Sequence, residues 1–395
     1  MPEIQHRQIE PLLRDIAKQY PAVTLTGPRQ SGKTTLSRAV FPDHAYINLE
    51  ALDQREYARS DPRGLLSEHA DGLIIDEIQH VPELASYLQE VIDQDERPGR
   101  FILTGSQHFG VTESVSQSLA GRTAIFNLLP LSLAEFENFG SPTDSLFEVL
   151  FTGGYPRIHA HKLDPERWLS DYVATYVERD VRRIGNVGDL NAFTQFLKLC
   201  AAHTAQEVNL SALGGDAGVS HNTARSWLSI LEAGFLLFRA PAWHRNIRKQ
   251  LVKSPKLHFL DAGLACSLLG IRNAEQLRHH PLRGAIFESW VASEIYKHLT
   301  NQGLRPDIKH YRESRGAEVD ILVETSMKTI ACEVKSGATI QPSFFANLKK
   351  FAERMASVSP PPNITLRLIY GGEQRQNRSD IECIDWQSLH KLDWQ

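Results

Sequence analysis

One short segment of the sequence has the residue types of a phosphate-binding loop, and it matches the pattern GxxxxGK[ST] in full. The matching residues are Gly27, Pro28, Arg29, Gln30, Ser31, Gly32, Lys33 and Thr34. The segment follows a β-branched apolar run and precedes a helical one, which is the context that such a loop requires. Its glycines allow backbone N–H groups and the helix N-terminus to face phosphate oxygens. We expect Lys33 to contact the β- and γ-phosphates of ATP, Thr34 to bind Mg²⁺, and Thr35 to complete the nucleotide-binding set.

A second apolar run, Leu73–Ile75, ends in two carboxylates, Asp76 and Glu77. A buried central strand would deliver both to the carboxyl edge of an open α/β sheet, where ligands bind. We expect Asp76 to hold Mg²⁺ through water and Glu77 to act as the base that polarises the attacking water. Alone, this pattern is typical of a solvated strand end. Together with the upstream loop it predicts ATP hydrolysis.

Three further residues are candidates for contacting the nucleotide. Ser106 and Gln107 follow the apolar run Phe101–Thr104, and either could sense the γ-phosphate and orient a water. Arg122 is a candidate finger that would reach the ATP of an adjacent subunit in a homo-oligomer. A surface or interdomain salt bridge explains Arg122 equally well.

The last third of the chain carries a separate group of charged residues. Glu333 and Lys335 end an apolar run, and residues two apart on a strand share a face. Asp320 lies in a run that is expected to pair with it as a neighbouring strand. An E-x-K pattern alone is typical of an ion pair on an exposed strand.

Glu288 adds a helix position to this group. It lies on the apolar side of a predicted helix, Leu282–Leu299, where an uncompensated charge is costly and a metal would compensate it. We expect Glu288, Asp320 and Glu333 to hold one or two Mg²⁺ and Lys335 to orient or activate a water. Such a site would hydrolyse a phosphodiester.

The elements that must position these residues follow from the apolar pattern. Five short strands alternate with helical segments, which predicts an α/β fold with a doubly wound, mainly parallel sheet. They are predicted at Ala22–Thr26, Ala45–Leu49, Gly72–Asp76, Arg100–Thr104 and Thr123–Leu128. The C-terminal part has strand-like runs at Ile308–Glu313, Glu318–Glu324 and Thr329–Val334, then a helix through Phe344–Met355. It predicts a second, smaller α/β domain.

The middle of the chain is helical and could contact DNA. Three helical segments are followed by two strand-like runs, Phe235–Phe238 and Leu257–Leu260, which suggests a winged helix-turn-helix. Arg225 would lie on its recognition helix. Basic residues from His244 to Lys249, with Lys253 and Lys256, would form the wing and lie along phosphates. An interdomain joint explains the same cations.

These motifs resemble the AAA-type branch of P-loop ATPases. They resemble more closely a bacterial and archaeal family that joins such an ATPase to a winged helix and a nuclease-like C-terminal domain. The resemblance also rests on Gly153-Gly154-Tyr155-Pro156 and on Phe259–Leu264. The order of Glu288, Asp320 and Glu333-x-Lys335 is similar to the restriction-endonuclease-like superfamily, except that Val319 stands where its motif has proline. We predict four domains, at 1–130 (ATPase), 131–189 (helical lid or linker), 190–270 (winged helix) and 271–395 (nuclease-like).

Composition sets the cellular context. The net charge of −4 argues against a uniformly basic nucleic-acid coat but allows a local basic face. Four widely spaced cysteines predict neither a zinc site nor a disulfide framework, which is typical of a reducing cytoplasm. No apolar stretch approaches the roughly 20 residues that cross a bilayer. We predict a cytoplasmic protein without membrane contact.

Two functions follow from these patterns. The favoured one is an ATP-dependent DNA-processing enzyme, in which the P-loop domain repositions or licenses a Mg²⁺-dependent nuclease. The alternative is a nucleotide-switched regulatory ATPase that binds DNA or a protein and whose nuclease-like domain is a platform that does not cut. The chemically intact set of Glu288, Asp320, Glu333 and Lys335 favours the first.

Overall fold

The computed structural model describes residues 5–106, 118–141, 144–176, 187–243, 254–313, 316–357 and 362–395. The chain divides into two compact units. Unit 1 comprises Met1–Leu131 with Ala233–Phe235 and Thr300–Leu304, and unit 2 comprises Ser132–Glu232, Leu236–Leu299 and Arg305–Gln395. The first long stretch of unit 1 ends one residue beyond the predicted limit at 130. The predicted limits at 189 and 270 stay predictions.

Unit 1 is built on a parallel sheet of five strands in the order β2-β3-β4-β1-β5. The strands are β1 (Ala22–Thr26), β2 (Ala45–Asn48), β3 (Leu73–Asp76), β4 (Phe101–Gly105) and β5 (Thr123–Asn127). All five predicted strands are present within two residues of their expected ends. Because β4 lies between β1 and β3, the end of β4 separates the phosphate-binding loop from the acidic pair.

Both faces of this sheet are buried. Side chains alternate between faces along a strand, so Ile74 of β3 packs into one apolar cluster while Leu73 and Ile75 pack into another. The helices are α1 (Glu10–Ile16), α2 (Lys33–Val40), α3 (Leu52–Ser60), α4 (Pro62–Glu68) and α5 (Leu84–Gln94). Two apolar clusters on opposite faces of a parallel sheet confirm the predicted doubly wound α/β fold.

The first part of unit 2 is mainly helical. Its helices are α6 (Leu133–Phe136), α7 (Leu146–Thr152), α8 (Pro156–His161), α9 (Pro165–Tyr176), α10 (Leu190–Ala202), α11 (Leu210–Asp216), α12 (His221–Ala233), α13 (Ala262–Leu268) and α14 (Ala274–His279). An antiparallel pair follows α12, formed by β6 (Leu237–Ala240) and β7 (Lys256–Phe259). Trp227 of α12 packs edge-on against Phe193 and Phe196 of α10, with ring centroids 5.2 and 5.5 Å away. Three helices followed by a strand pair match the predicted order of elements.

The second part of unit 2 is a mixed sheet of six strands in the order β12-β13-β11-β10-β9-β8. The strands are β8 (Ile308–Arg312), β9 (Glu318–Glu324), β10 (Thr329–Lys335), β11 (Ile364–Tyr370), β12 (Gln376–Arg378) and β13 (Ile381–Asp385). It is accompanied by α15 (Arg283–Asn301) and α16 (Ala346–Ala356). Strands β9 and β10 are neighbours, as the sequence predicted, and they pair antiparallel. The pairs β10–β11 and β11–β13 are parallel.

Two details of the strands from β6 onward differ from the sequence expectations. Strand β6 begins at Leu237 rather than Phe235, because Phe235 has φ of 58°, which is incompatible with an extended strand. Strands β11 to β13 were not predicted. Within the described residues, none of the helices has both the length and the apolar character needed to cross a membrane.

Candidate nucleotide site and a second carboxylate cluster

The loop between β1 and α2 has a backbone that only glycine accommodates at two points. Gly27 has φ of 148°, and a Cβ there would lie 2.1 Å from the carbonyl oxygen of Leu128. Gly32, immediately before α2, has φ of 93°. These two positions explain the glycines of the motif and allow the loop to curl at the N-terminus of α2.

The Lys33 ammonium lies inside this loop. Its Nζ donates to the carbonyl oxygens of Gly27 at 3.0 Å and Pro28 at 2.8 Å, and the residue is only 5% exposed. The loop therefore places a buried cation among the backbone groups that would surround phosphate oxygens.

Arg7, which the sequence reasoning missed, braces the same loop. Its guanidinium donates to the carbonyl oxygens of Ser31 and Leu129, both at 2.8 Å, and the side chain is buried. Nothing in the local sequence marks an arginine 20 residues before the motif. Only the fold brings it to the loop.

Asp76 accepts three hydroxyl donors at the carboxyl end of β3. Thr34 Oγ1 and Tyr46 OH donate to its Oδ2, each at 2.8 Å, and Thr104 donates to Oδ1. Burial and the neighbouring Asp76 carboxylate raise the pKa of Tyr46. The Thr34 hydroxyl and the Asp76 carboxylate are hard oxygen ligands in mutual contact, so this donor set fits Mg²⁺.

Glu77 lies beside Asp76 in a left-handed backbone conformation, with φ of 57°. Its carboxylate accepts a hydrogen bond from Ser106 Oγ at 2.5 Å and another from the Gln79 amide. Burial raises the pKa of Glu77, but attraction to Lys33 and the two hydrogen bonds outweigh it, so the pKa lies below its usual value. The side chain is therefore ionised at neutral pH, the form in which a carboxylate accepts a proton.

The remaining sensing candidates are placed differently. Ser106 contacts Glu77, whereas Gln107 lies outside the described residues. Arg122 pairs with Asp93, through N–O distances of 2.5 and 3.0 Å. The salt-bridge explanation of Arg122 thus has a named partner within unit 1, and a role towards another subunit stays a prediction.

The C-terminal sheet brings Asp320, Glu333 and Lys335 together. Lys335 Nζ lies 2.7 Å from Glu333 Oε1 and 3.6 Å from Asp320 Oδ2. Asp320 also accepts the backbone N–H of Val334 at 2.8 Å. Burial and repulsion from Asp320 raise the pKa of Glu333 to about 7, against an opposing attraction to Lys335. The predicted strand pairing and the shared face of Glu333 and Lys335 are therefore present.

Glu288 of α15 is compensated by a lysine, which corrects the expectation that a metal would do so. Lys256 Nζ lies 2.9 Å from Glu288, 3.1 Å from Glu318 and 3.7 Å from Asp320. Burial and repulsion from Asp320 raise the pKa of Glu288 to about 8, while Lys256 opposes the rise. In the part of the chain that the structure describes, no group of three or more histidine, cysteine, aspartate or glutamate residues could hold a metal ion. Glu288 and Asp320 have Lys256 as a partner and Glu333 has Lys335. Metal binding by these three carboxylates stays a prediction.

Lys256 is also misplaced in the expected DNA-contacting wing. Its side chain is 3% exposed, so it cannot lie along a phosphate backbone. The other predicted wing residues, His244–Lys249 and Lys253, lie outside the described residues. Arg225 is exposed on α12, as a recognition helix would require.

The two glycine-containing motifs of the middle region have a structural role. Asp261 accepts the backbone N–H of Gly154 at 2.6 Å and that of Leu264 at 2.8 Å, and so caps α13. A Cβ on Gly263 would lie 2.8 Å from the backbone nitrogen of Gly153. The motifs allow close backbone contact between the segment that precedes α8 and the start of α13.

Unit 1 has the fold of a P-loop NTPase. Residues 19–137 match the family model of an AAA domain. Residues 143–275 and 283–389 match two domains of unknown function, DUF8612 and DUF4143.

Similar proteins are found in bacteria and among solved structures. An uncharacterized protein of Mycobacterium tuberculosis is 29% identical over 380 residues, covering 95% of this chain and 82% of the relative. One of Haemophilus influenzae is 24% identical over 283 residues, covering 63% and 70%. The Walker-type ATPase PABY2304 of Pyrococcus abyssi shares 15% identity with a TM-score of 0.47, covering 67% of this chain and 96% of that one. AMPPCP-bound DnaA of Aquifex aeolicus shares 14% identity with a TM-score of 0.29, covering 57% and 85%.

Proposed function

We propose that this chain hydrolyses ATP at Gly27–Thr34 and uses the nucleotide state to control DNA binding by unit 2. The observation that carries the proposal is the convergence of Lys33, Asp76 and Glu77 at the carboxyl edge of one parallel sheet. Lys33 is buried within the loop, Asp76 contacts Thr34, and Glu77 is held ionised beside them. Binding alone would not need the third group.

Each residue has a distinct task in the proposed reaction. Backbone N–H groups of the loop and Lys33 bind the phosphates, and Thr34 and Asp76 hold Mg²⁺. Mg²⁺, when bound, neutralises charge on the phosphate oxygens. Glu77 accepts the hydrogen bond of the attacking water, and Ser106 with Gln79 fixes the direction of its carboxylate.

The first test changes the two charged groups separately. Glu77→Gln removes the base but keeps the size of the side chain, so we expect ATP turnover to fall by about 10²- to 10⁴-fold with ATP binding retained. Lys33→Ala should abolish turnover and weaken ATP binding. Turnover is measured by phosphate release and binding with a fluorescent ATP analogue. Glu83→Gln, which changes an exposed carboxylate paired with Arg59, is the matched control and should behave as wild type. Loss of ATP binding in Glu77→Gln would contradict its role as base.

Control of DNA binding is the second part of the proposal, and the exposed face of α12 supports it. Ser220 accepts the backbone N–H of Thr223 at 3.1 Å at the start of this helix, and Arg225 is exposed one turn later. An arginine near the N-terminus of such a helix can reach base edges or phosphates.

We expect Arg225→Ala to weaken DNA binding by about 5- to 100-fold. Fluorescence anisotropy with duplex and branched DNA, at two salt concentrations and with ATP, ADP or no nucleotide, measures the effect. Arg167→Ala removes another exposed arginine, paired with Asp171 on α9, and is the matched control. Equal binding by both variants would exclude α12 as the DNA contact, and no binding by wild type would direct the search to a protein partner.

DNA cleavage is a second candidate function, favoured by the contact between Glu333 and Lys335 beside Asp320. Incubation with branched, single-stranded and duplex DNA in Mg²⁺ or Mn²⁺, with and without ATP, tests it. Cleavage that survives Lys33→Ala and vanishes in Glu333→Ala would establish an independent nuclease. No cleavage of any substrate, with normal ATP turnover, would favour a domain that does not cut.

A further inference from the structure

Lys256 is the first residue of β7, yet its side chain is almost fully buried, at 3% exposure. A buried ammonium is costly unless it is paired and hydrogen-bonded. Here it faces carboxylates from two different elements, Glu288 on α15 and Glu318 and Asp320 on β9, at 2.9, 3.1 and 3.7 Å. Three carboxylates at ion-pair distance therefore compensate the buried ammonium.

Lys256 Nζ lies between two of the side chains that were predicted to bind a metal. It lies within ion-pair distance of two of the three predicted metal ligands, Glu288 and Asp320. The third, Glu333, is paired with Lys335 at 2.7 Å. A metal bound by these carboxylates would lie close to one or two ammonium groups and would be repelled by them. The carboxylate oxygens that face the lysines would also have to give up their present partners.

We propose that Lys256 is an internal cation that replaces a divalent metal at this carboxylate cluster. Unit 2 then keeps its fold without a metal, and the cluster binds divalent ions only when Lys256 is removed. This inference is separate from ATP hydrolysis, because unit 1 carries the nucleotide site and the test below uses no nucleotide. Of the two candidate functions, it favours the one without DNA cleavage.

The experiment measures Mn²⁺ binding by isothermal titration calorimetry and the melting temperature in EDTA or Mn²⁺, on the full chain. Each protein is compared with a version that also carries Asp320→Asn. The difference between the two gives the Mn²⁺ binding that depends on Asp320, because binding at other sites is the same in both. For wild type we expect no binding that depends on Asp320 and the same melting temperature in EDTA and Mn²⁺. Lys256→Met should melt lower in EDTA, gain one Mn²⁺ site and recover stability in Mn²⁺. Asp320→Asn should abolish that gain.

Lys309→Met is the matched control. Lys309 is a buried lysine on β8, in the six-stranded sheet that carries Asp320, and it pairs with Asp307 at 2.9 Å and with Glu324. Its loss should lower the melting temperature without creating a Mn²⁺ site. If Lys256→Met is too unstable to purify, Lys256→Gln provides the same test with a polar side chain.

Two outcomes would overturn the proposal. Mn²⁺ binding by wild type that requires Asp320 would show that the cluster takes a metal beside Lys256. Failure of both folded Lys256 variants to gain a Mn²⁺ site would show that the lysine does not occupy a metal position. Either result can occur with normal ATP turnover, so it would leave the proposed ATPase intact.

Discussion

At the scale of single residues, several side chains are held in place by partners far away in the sequence. Asp76 is oriented by Thr34, Tyr46 and Thr104, and the loop of Lys33 is braced by Arg7. The candidate residues of the nucleotide site were predictable, because their types and spacing are those of a phosphate-binding loop followed by an acidic strand end. Arg7 and Tyr46 were not, because a bracing role depends on distance in the fold.

His258 provides a residue-scale prediction about pH. It is fully buried, neither ring nitrogen has a hydrogen-bond partner among the described residues, and it stacks on Phe238 with ring centroids 5.3 Å apart. Burial, together with repulsion from Lys256 and His310, lowers the pKa of His258 well below its usual value. The unfolded chain therefore takes up a proton as the pH falls below about 6.5, while the folded chain does not.

His258 favours folding above about pH 6.5, and this contribution is lost as the pH falls, by up to about 1.4 kcal/mol per pH unit. His258→Phe keeps an aromatic ring beside Phe238 but removes the group that titrates. The free energy of unfolding of this variant should therefore fall less steeply between pH 6.5 and 5 than that of wild type. Urea unfolding at several pH values measures the difference. His279→Phe changes an exposed ring and should keep the slope of wild type. If the free energy of unfolding depends on pH in the same way for wild type and His258→Phe, the result would contradict a neutral, buried His258.

At the scale of elements, the prediction concerns the cap of α13. Asp261 is 2% exposed and accepts two backbone N–H groups, those of Gly154 and Leu264. Asp261→Ala would leave both donors buried without this partner, so we expect unfolding to become easier by about 2–4 kcal/mol. Thermal and urea unfolding measure the change. Asp189→Ala removes the exposed cap of α10 and should cost only about 1 kcal/mol. Equal losses in the two variants would show that the contact with Gly154 adds nothing.

The element scale also shows what the apolar pattern could and could not predict. The strands of unit 1 were predictable because each is a short apolar run buried on both faces, as parallel strands are. Strand β11 has a buried arginine, Arg367, paired with Glu382 of β13 at 2.9 Å, within its apolar run. A charged residue at a core position interrupts the apolar pattern from which a strand is predicted. The strand becomes evident only when the partner of the charge is known. The same reason explains why Glu288 was assigned to a metal rather than to Lys256.

At the scale of the whole molecule, the sequence alone predicts more about unit 1 than about unit 2. The class of unit 1 follows from a motif whose chemistry requires its residues, and its sheet has the predicted order of strands and helices. In unit 2 the carboxylates occupy their predicted strands and helix, but their partner comes from another part of the chain. Spacing along a sequence can indicate which acids converge. It does not indicate which cation they meet.

The location of Lys256 has a consequence for dividing the chain into fragments. Lys256 belongs to the segment 143–275, whereas Glu288, Glu318 and Asp320 belong to the segment 283–389. Ser289 adds a second link, because its Oγ accepts the backbone N–H of Phe259 at 2.8 Å. An excised C-terminal fragment would retain the acids and lose their counter-ion. The segments 143–275 and 283–389 would then be poor candidates for separate exchange between relatives. An exchange would have to include both Lys256 and its three acids.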